Sequence, residues 1–160
     1  MRSRQSRKHT QHPLLCWDVA SQAQFRQKGY FERLAFADAY RTQQWPFPFP
    51  VIDSADFGAI VLTDVRERIV WASPGFRTMT GYTIKSALHR KPSFLQGRDT
   101  DQAIRNTIRV ALQARQRVSA TITNYRRNGE PYQCYVDIVP LFSASGQLVN
   151  FMALEKEVLY

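Results

Sequence analysis

The last third of the chain constrains the fold most. Asn128-Gly129 and Ser143-Ala144-Ser145-Gly146 divide a stretch rich in β-branched and aromatic residues into three runs, 118–126, 130–141 and 147–158. Such short connections force the runs to pair antiparallel as a meander. Asn-Gly tolerates the positive φ angles of a type I′ turn, which is the turn expected at 128–129. A three-strand meander leaves an apolar face that needs a cover. The segment just before it supplies one: over Asp99–Gln113, Ala103, Ile104, Thr107, Ile108, Ala111 and Leu112 fall on one helical stripe. Asp99 and Asp101 suit the positive N-terminus of that helix, and Arg115 and Arg117 lie just beyond its C-terminus.

Two further strands precede it. Phe57–Thr63 reads as a buried strand, Asp64–Glu67 as a polar turn, and Arg68–Ala72 as its partner. Ser73-Pro74 marks a helix start, with serine as the cap, and that helix ends near Gly81; Thr83–Leu88 is one more helical turn. The order predicts an α+β fold, a five-stranded antiparallel sheet with short helices on one face, over residues 55–160. Ahead of it lie three segments. Residues 1–13 are a polar, basic tail expected to be disordered. Residues 14–45 form a helical extension, read as two pieces (14–25 and 30–45) interrupted at Gly29. Residues 46–54 begin with Pro46, Pro48 and Pro50 alternating with Phe47 and Phe49, which forbids a helix. This last segment reads as a stiff linker whose aromatics pack on the body rather than as a polyproline ligand.

Composition excludes several classes. At 160 residues and 44% hydrophobic, the chain can bury a core. It has no apolar run long enough to span a bilayer and no apolar stretch behind its charged start, so neither a membrane span nor a secretory signal is expected. Cys16 and Cys134 lie far apart, which fits a reducing cytoplasm better than a disulfide scaffold. His9 and His12 sit in the polar tail without other ligands and are read as solvated rather than as a metal pair. No GxSxG, HExxH or P-loop is present, and no nucleophile–base pair stands out, so enzymatic activity is not expected. The net charge of +9 divides into a tail, where Arg2, Arg4, Arg7 and Lys8 face no acid, and a mildly basic domain. A nucleic-acid contact through the tail is the weaker alternative that this charge raises.

Three motifs carry a family resemblance. Ala72-Ser73-Pro74-Gly75-Phe76-Arg77-Thr78-Met79-Thr80-Gly81-Tyr82, Phe94-Leu95-Gln96-Gly97 followed by Asp99-Thr100-Asp101, and Asn124-Tyr125-Arg126-Arg127-Asn128-Gly129 occur in this order. They resemble PAS domains, and within these the flavin-binding light-oxygen-voltage (LOV) branch, over about 100 residues. The resemblance implies flavin mononucleotide (FMN) as a non-covalent ligand, with Gln96, Arg109 and Asn124 on family positions that contact flavin or its phosphate. It also implies departures. The family's photoactive cysteine falls on Pro92, which has no nucleophile, so the cysteinyl–flavin adduct is not expected. The next family arginine falls on Ser93, a second flavin-facing asparagine on Cys134, and the signal-relaying glutamine of the last strand on Glu155.

The residues themselves leave alternatives open at these positions. Asn124 on the core face needs a partner, which a flavin edge or a backbone group would supply. Arg105 and Arg109 are a phosphate clamp or the solvated shoulder of an amphipathic helix. Glu155 facing an apolar pocket pairs with an arginine, meets a ligand donor, or points outward. Cys134 is a pocket thiol or a small buried core thiol. Phe94, Met79 and Met152 are large enough to close the pocket. The expected function is a PAS sensory module relaying a state, without adduct chemistry, to a partner protein. That partner is a second copy or a separate signalling protein, engaged through the sheet and the N-terminal helices. The alternative is a LOV-like blue-light receptor holding FMN.

Overall fold

Three hairpins of one design build the sheet. The backbone N–H of Asp64 donates to Arg68 O at 2.9 Å, that of Arg126 to Glu130 O at 2.9 Å, and that of Ser143 to Gln147 O at 2.8 Å. Within each loop a tighter bond closes a turn onto a third residue with positive φ: Glu67 (62°), Gly129 (87°) and Gly146 (81°). This is a type I turn followed by a left-handed residue, not the type I′ turn expected at Asn128-Gly129. Asn128 stays out of the left-handed region, and its side chain instead accepts from the Glu130 N–H at 3.0 Å. Of the Asn128-Gly129 pair, only Gly129 needs the freedom that glycine gives.

The computed structural model describes residues 16–52 and 56–159, with side chains from residue 29 onward. The basic tail, the start of the extension at Leu14 and residues 53–55 lie outside the described residues. Strands β1 (Ala59–Asp64), β2 (Ile69–Ala72), β3 (Val118–Tyr125), β4 (Pro131–Phe142) and β5 (Leu148–Val158) form one antiparallel sheet in the order β2-β1-β5-β4-β3. This is the expected α+β architecture. Helices α2 (Pro74–Thr80), α3 (Ile84–Ala87) and α4 (Gln102–Gln113), with a 3₁₀ turn at Pro92–Leu95, lie between β2 and β3.

The N-terminal extension differs from expectation. It is one helix, α1 (Cys16–Gln43), continuous through Gly29. A glycine inside a helix costs about 1 kcal/mol, which packing readily offsets, so it does not dictate a break. Two other local readings are also corrected. Ser73 occupies the cap position of α2 but makes no cap bond; its Oγ accepts from the Ile60 N–H at 2.8 Å, stitching the helix start to β1. Asp101 alone caps α4, accepting from Ala103 N at 2.7 Å, whereas Asp99 lies outside the helix and accepts from the Tyr125 hydroxyl at 2.7 Å.

Strand alternation splits the core into two layers. On the inner face Ala59, Val61, Ile122, Cys134 and Val136 pack with Phe76, Met79, Ala87 and Leu95. On the outer face Ile60, Leu62, Leu141, Met152 and Leu154 pack with Phe36 of α1 and with Phe47 and Phe57. The Pro/aromatic segment is therefore a strap on the body. Phe47 is buried, and Trp45 stacks on it with ring centroids 5.7 Å apart. Phe36, fully buried, sits among Tyr40, Trp45, Phe49 and Trp71.

Candidate functional site

The inner face of the sheet does not meet α4 everywhere. Between them lies a cavity of about 380 Å³, within the size range of small-molecule sites. Its floor is Val61, Ile122, Asn124, Val136, Ala153 and Glu155; its roof is Arg105, Ile108, Arg109 and Leu112; one end is Pro92, Ser93 and Gln96. Helix α4 is strongly amphipathic in sequence, yet none of its residues is buried. Ile104, Ile108 and Leu112 remain half-exposed: Ile104 and Ile108 touch the inner core, while Ile108 and Leu112 also look onto the cavity, so the stripe is only partly covered.

The residues around Gln96 are fixed from the sheet. Leu95 is anchored in the core. Thr100 then spans the gap: its Oγ1 donates to Thr123 O at 2.7 Å and accepts from the Gly97 N–H at 2.9 Å. Asp99 adds a second tie through Tyr125, and this donated hydroxyl, with Arg98 beside it, holds the Asp99 carboxyl below its ordinary range. These contacts bring the loop bearing Gln96 against the strand bearing Asn124. Neither Thr100 nor Tyr125 was singled out from sequence. Their only signal was membership of the second and third motifs, as Thr100-Asp101 and Asn124-Tyr125.

Four of the five sequence-derived site residues line this cavity: Gln96, Arg109, Asn124 and Glu155. Asn124 is buried, opposite Tyr132 in the β3–β4 register. Arg109 and Arg105 sit on the exposed rim. Cys134 shares the inner face with Asn124 but is not among the lining residues; it is fully buried in the core beside the cavity. Burial, then the charges of Glu155 and Glu157, push its thiol pKa well up, so it stays protonated. The large side chains considered as plugs do not fill the space. Met152 points to the outer face, Met79 lies in the inner core, and Phe94 packs edge-on against Tyr82.

Glu155 carries the most unusual environment. It is fully enclosed on the central strand between Ala59 of β1 and Val136 of β4. Its Oε2 has no hydrogen-bond partner, and neither has Gln96 Oε1. Burial pushes the Glu155 carboxyl up to about 7. Of the three orientations open from sequence, the inward one holds, and no arginine pairs with it among the described residues.

The sequence profile described as the PAS domain matches residues 58–158. This chain belongs to the PAS domain family. The PAS match spans the whole sheet and the cavity. The nitrogen fixation regulatory protein of Klebsiella oxytoca is 32% identical over 118 residues, which are 73% of this chain and 24% of that protein. Phototropin-2 of Oryza sativa subsp. japonica is 36% identical over 90 residues, 56% of this chain and 10% of that protein. The PAS chain thus spans a quarter or less of these relatives. Among solved structures, the light state of the blue-light photoreceptor Aureochrome1 LOV superposes with a TM-score of 0.62 at 32% identity, covering 64% of this chain and 83% of that one. The LOV domain of the EL346 blue-light activated histidine kinase from Erythrobacter litoralis gives 0.61 at 25%, covering 65% and 97%. The PAS fold with LOV likeness is established by these matches. No helix among the described residues is long and apolar enough to cross a membrane.

Proposed function

We propose that this PAS domain is a sensory module that reads the occupancy of its cavity and relays it to a partner protein without a thiol–flavin adduct. One observation carries the relay. On β5, Ala153 and Glu155 line the cavity while Met152 and Leu154 pack in the outer core beneath α1 and the strap. A ligand that displaces the inner residues shifts the outer ones, because neighbouring side chains share one strand. The partner, a second copy or another signalling protein, is engaged through α1, where Tyr30, Phe31 and Leu34 are exposed. The lack of an adduct rests on Pro92, which lines the cavity at the family's cysteine position and carries no thiol.

The ligand in this reading is FMN, held non-covalently. Three features fit it: two unpartnered buried oxygens that line the cavity, on Gln96 and Glu155, a partly covered apolar stripe on α4, and a rim bearing Lys91, Arg105 and Arg109 for a phosphate. Arg109 and Arg105 would hold the phosphate, with Gln96, Asn124 and Glu155 at the ring. Bound FMN would supply blue-light absorption and redox chemistry. The test is to incubate purified protein with FMN, pass it through gel filtration, record spectra before and after blue light, and follow hydrogen exchange. The expected result is co-eluting flavin, no adduct bleaching, and changed exchange in α1. Protein that elutes without flavin overturns the FMN reading; bleaching that reverses in the dark overturns the absence of an adduct. Flavin binding that leaves α1 exchange unaltered overturns the relay.

A further inference from the structure

We propose that Glu155 binds the cavity's ligand through a neutral carboxyl group, which makes ligand occupancy depend on one proton. The proposal rests on the FMN reading and concerns how the same cavity recognises a ring.

Glu155 is enclosed, lines the cavity, and has an Oε2 without a partner. The groups facing it are known. Across β1 stands Ala59 and across β4 Val136. Along the same face lie Cys134 and Tyr132, neutral, and Glu157, whose charge is taken by Arg126. The cations of the cavity sit at its exposed rim, where Lys91 pairs with Glu67 at 3.5 Å, Arg105 donates to Gln102 at 3.2 Å and Arg109 is exposed one turn further along α4. None of these places a positive charge at the carboxyl, and burial alone raises its pKa, to about 7.

The protonation state decides what the cavity can recognise. A neutral carboxyl offers one O–H donor, and the second orphan, Gln96 Oε1, offers an acceptor. A donor and an acceptor lining one cavity complement a ring that carries both C=O and N–H groups. That is the lactam or imide edge found in flavins, pterins and nucleobases. Ionised Glu155 would present only lone pairs, and a ring carbonyl facing it would lose its hydrogen bond. The ligand class is therefore a heteroaromatic lactam with an anionic tail at the basic rim, taken up with the Glu155 proton in place.

FMN titrations of the full chain at pH 6 and pH 8 test this. With a free carboxyl titrating at about 7 that must stay neutral in the complex, the Kd should weaken about ten-fold between the two pH values. Glu155→Gln, which keeps a donor that does not titrate, should lose the ten-fold weakening and keep only the small tightening that ionisation of the FMN phosphate brings to every protein. Glu155→Leu should bind more weakly and lose the ten-fold weakening likewise. A wild-type Kd that is unchanged from pH 6 to pH 8 overturns the proposal whether or not the variants fold, and so does Glu155→Gln that keeps the ten-fold change. Absence of FMN binding by wild type at both pH values overturns the FMN reading and the proposal together.

Discussion

The carboxylate of Glu32 on α1 accepts a hydrogen bond from the backbone N–H of Gly75 at 3.1 Å, reaching across the sheet edge into the first turn of α2. Glu32 is buried. Replacing it with alanine leaves the Gly75 N–H without that acceptor and should cost about 1–3 kcal/mol. Glu32→Gln retains an acceptor and should cost less. Urea denaturation of both variants beside the wild type measures the difference, and equal midpoints for all three would refute a structural role for this bond.

The close approach of α2 to the residue before β1 sets a contrast between two glycines. A Cβ on Gly75 would lie 1.8 Å from the Gly58 carbonyl oxygen, whereas a Cβ on Gly58 would be no nearer than 3.8 Å to the Glu155 carbonyl oxygen. Gly75→Ala should therefore destabilise by about 1–3 kcal/mol or more, since backbone must move. Gly58→Ala should be close to neutral. Paired denaturation curves decide, and the opposite ranking would show that Gly58 and the first turn of α2 separate without cost.

Phe36 anchors α1 to the outer face. It is fully buried among four aromatic rings. Phe36→Ala should cost about 3–5 kcal/mol. Protection against hydrogen exchange should fall first in α1 and the strap rather than in β3 and β4. Uniform loss of protection across the sheet would mean that α1 and the sheet unfold as one unit.

The sheet was legible in the sequence because Asn128-Gly129, Gly146 and the alternation of Ile122, Asn124, Cys134 and Val136 encode strand ends and faces directly. Helix α4 was legible from its stripe. The cavity beneath it was not, since an apolar stripe reads the same whether it faces side chains or open space. Gly29 misled because propensity is a weak local term that tertiary packing overrides. Asp99 and Ser73 misled for another reason. Both residue types favour helix caps, but here their side chains are taken by Tyr125 and by the Ile60 amide, partners distant in sequence. Cys134 fell on the predicted face but outside the cavity lining, because register fixes the face and not the depth of the neighbouring void.

Thr100 should prove more important to the site than its place in a loop implies. Its hydroxyl makes two bonds, to Thr123 O and from Gly97 N. Thr100→Val keeps the shape and removes both, leaving a part-buried carbonyl and amide without this partner at a cost of about 1 kcal/mol or more. Gln96 loses its fixed position with them, so FMN affinity should fall as well. Thr100→Ser, which keeps the hydroxyl, should restore most of both losses. Failure of serine to restore them would assign the effect to packing.

Glu155 should also leave a signature in folding stability, independent of any ligand. Its ordinary pKa is 4.5 and burial raises it to about 7 in the folded chain. Below pH 4.5 the carboxyl is neutral in both states and costs nothing on this account. As pH rises from 4.5 to 7, the unfolded chain gains from ionisation that the folded chain resists, so stability falls; above 7 the loss is constant. The difference of about 2.5 pH units corresponds to roughly 3 kcal/mol. Glu155→Gln removes this titration, so its stability relative to wild type should rise by about that amount between pH 4.5 and pH 8. Contributions common to both proteins cancel in the difference. Denaturation midpoints of the two chains across this range measure it, and a difference that does not change with pH would show that the carboxyl is ionised and solvated in the folded state.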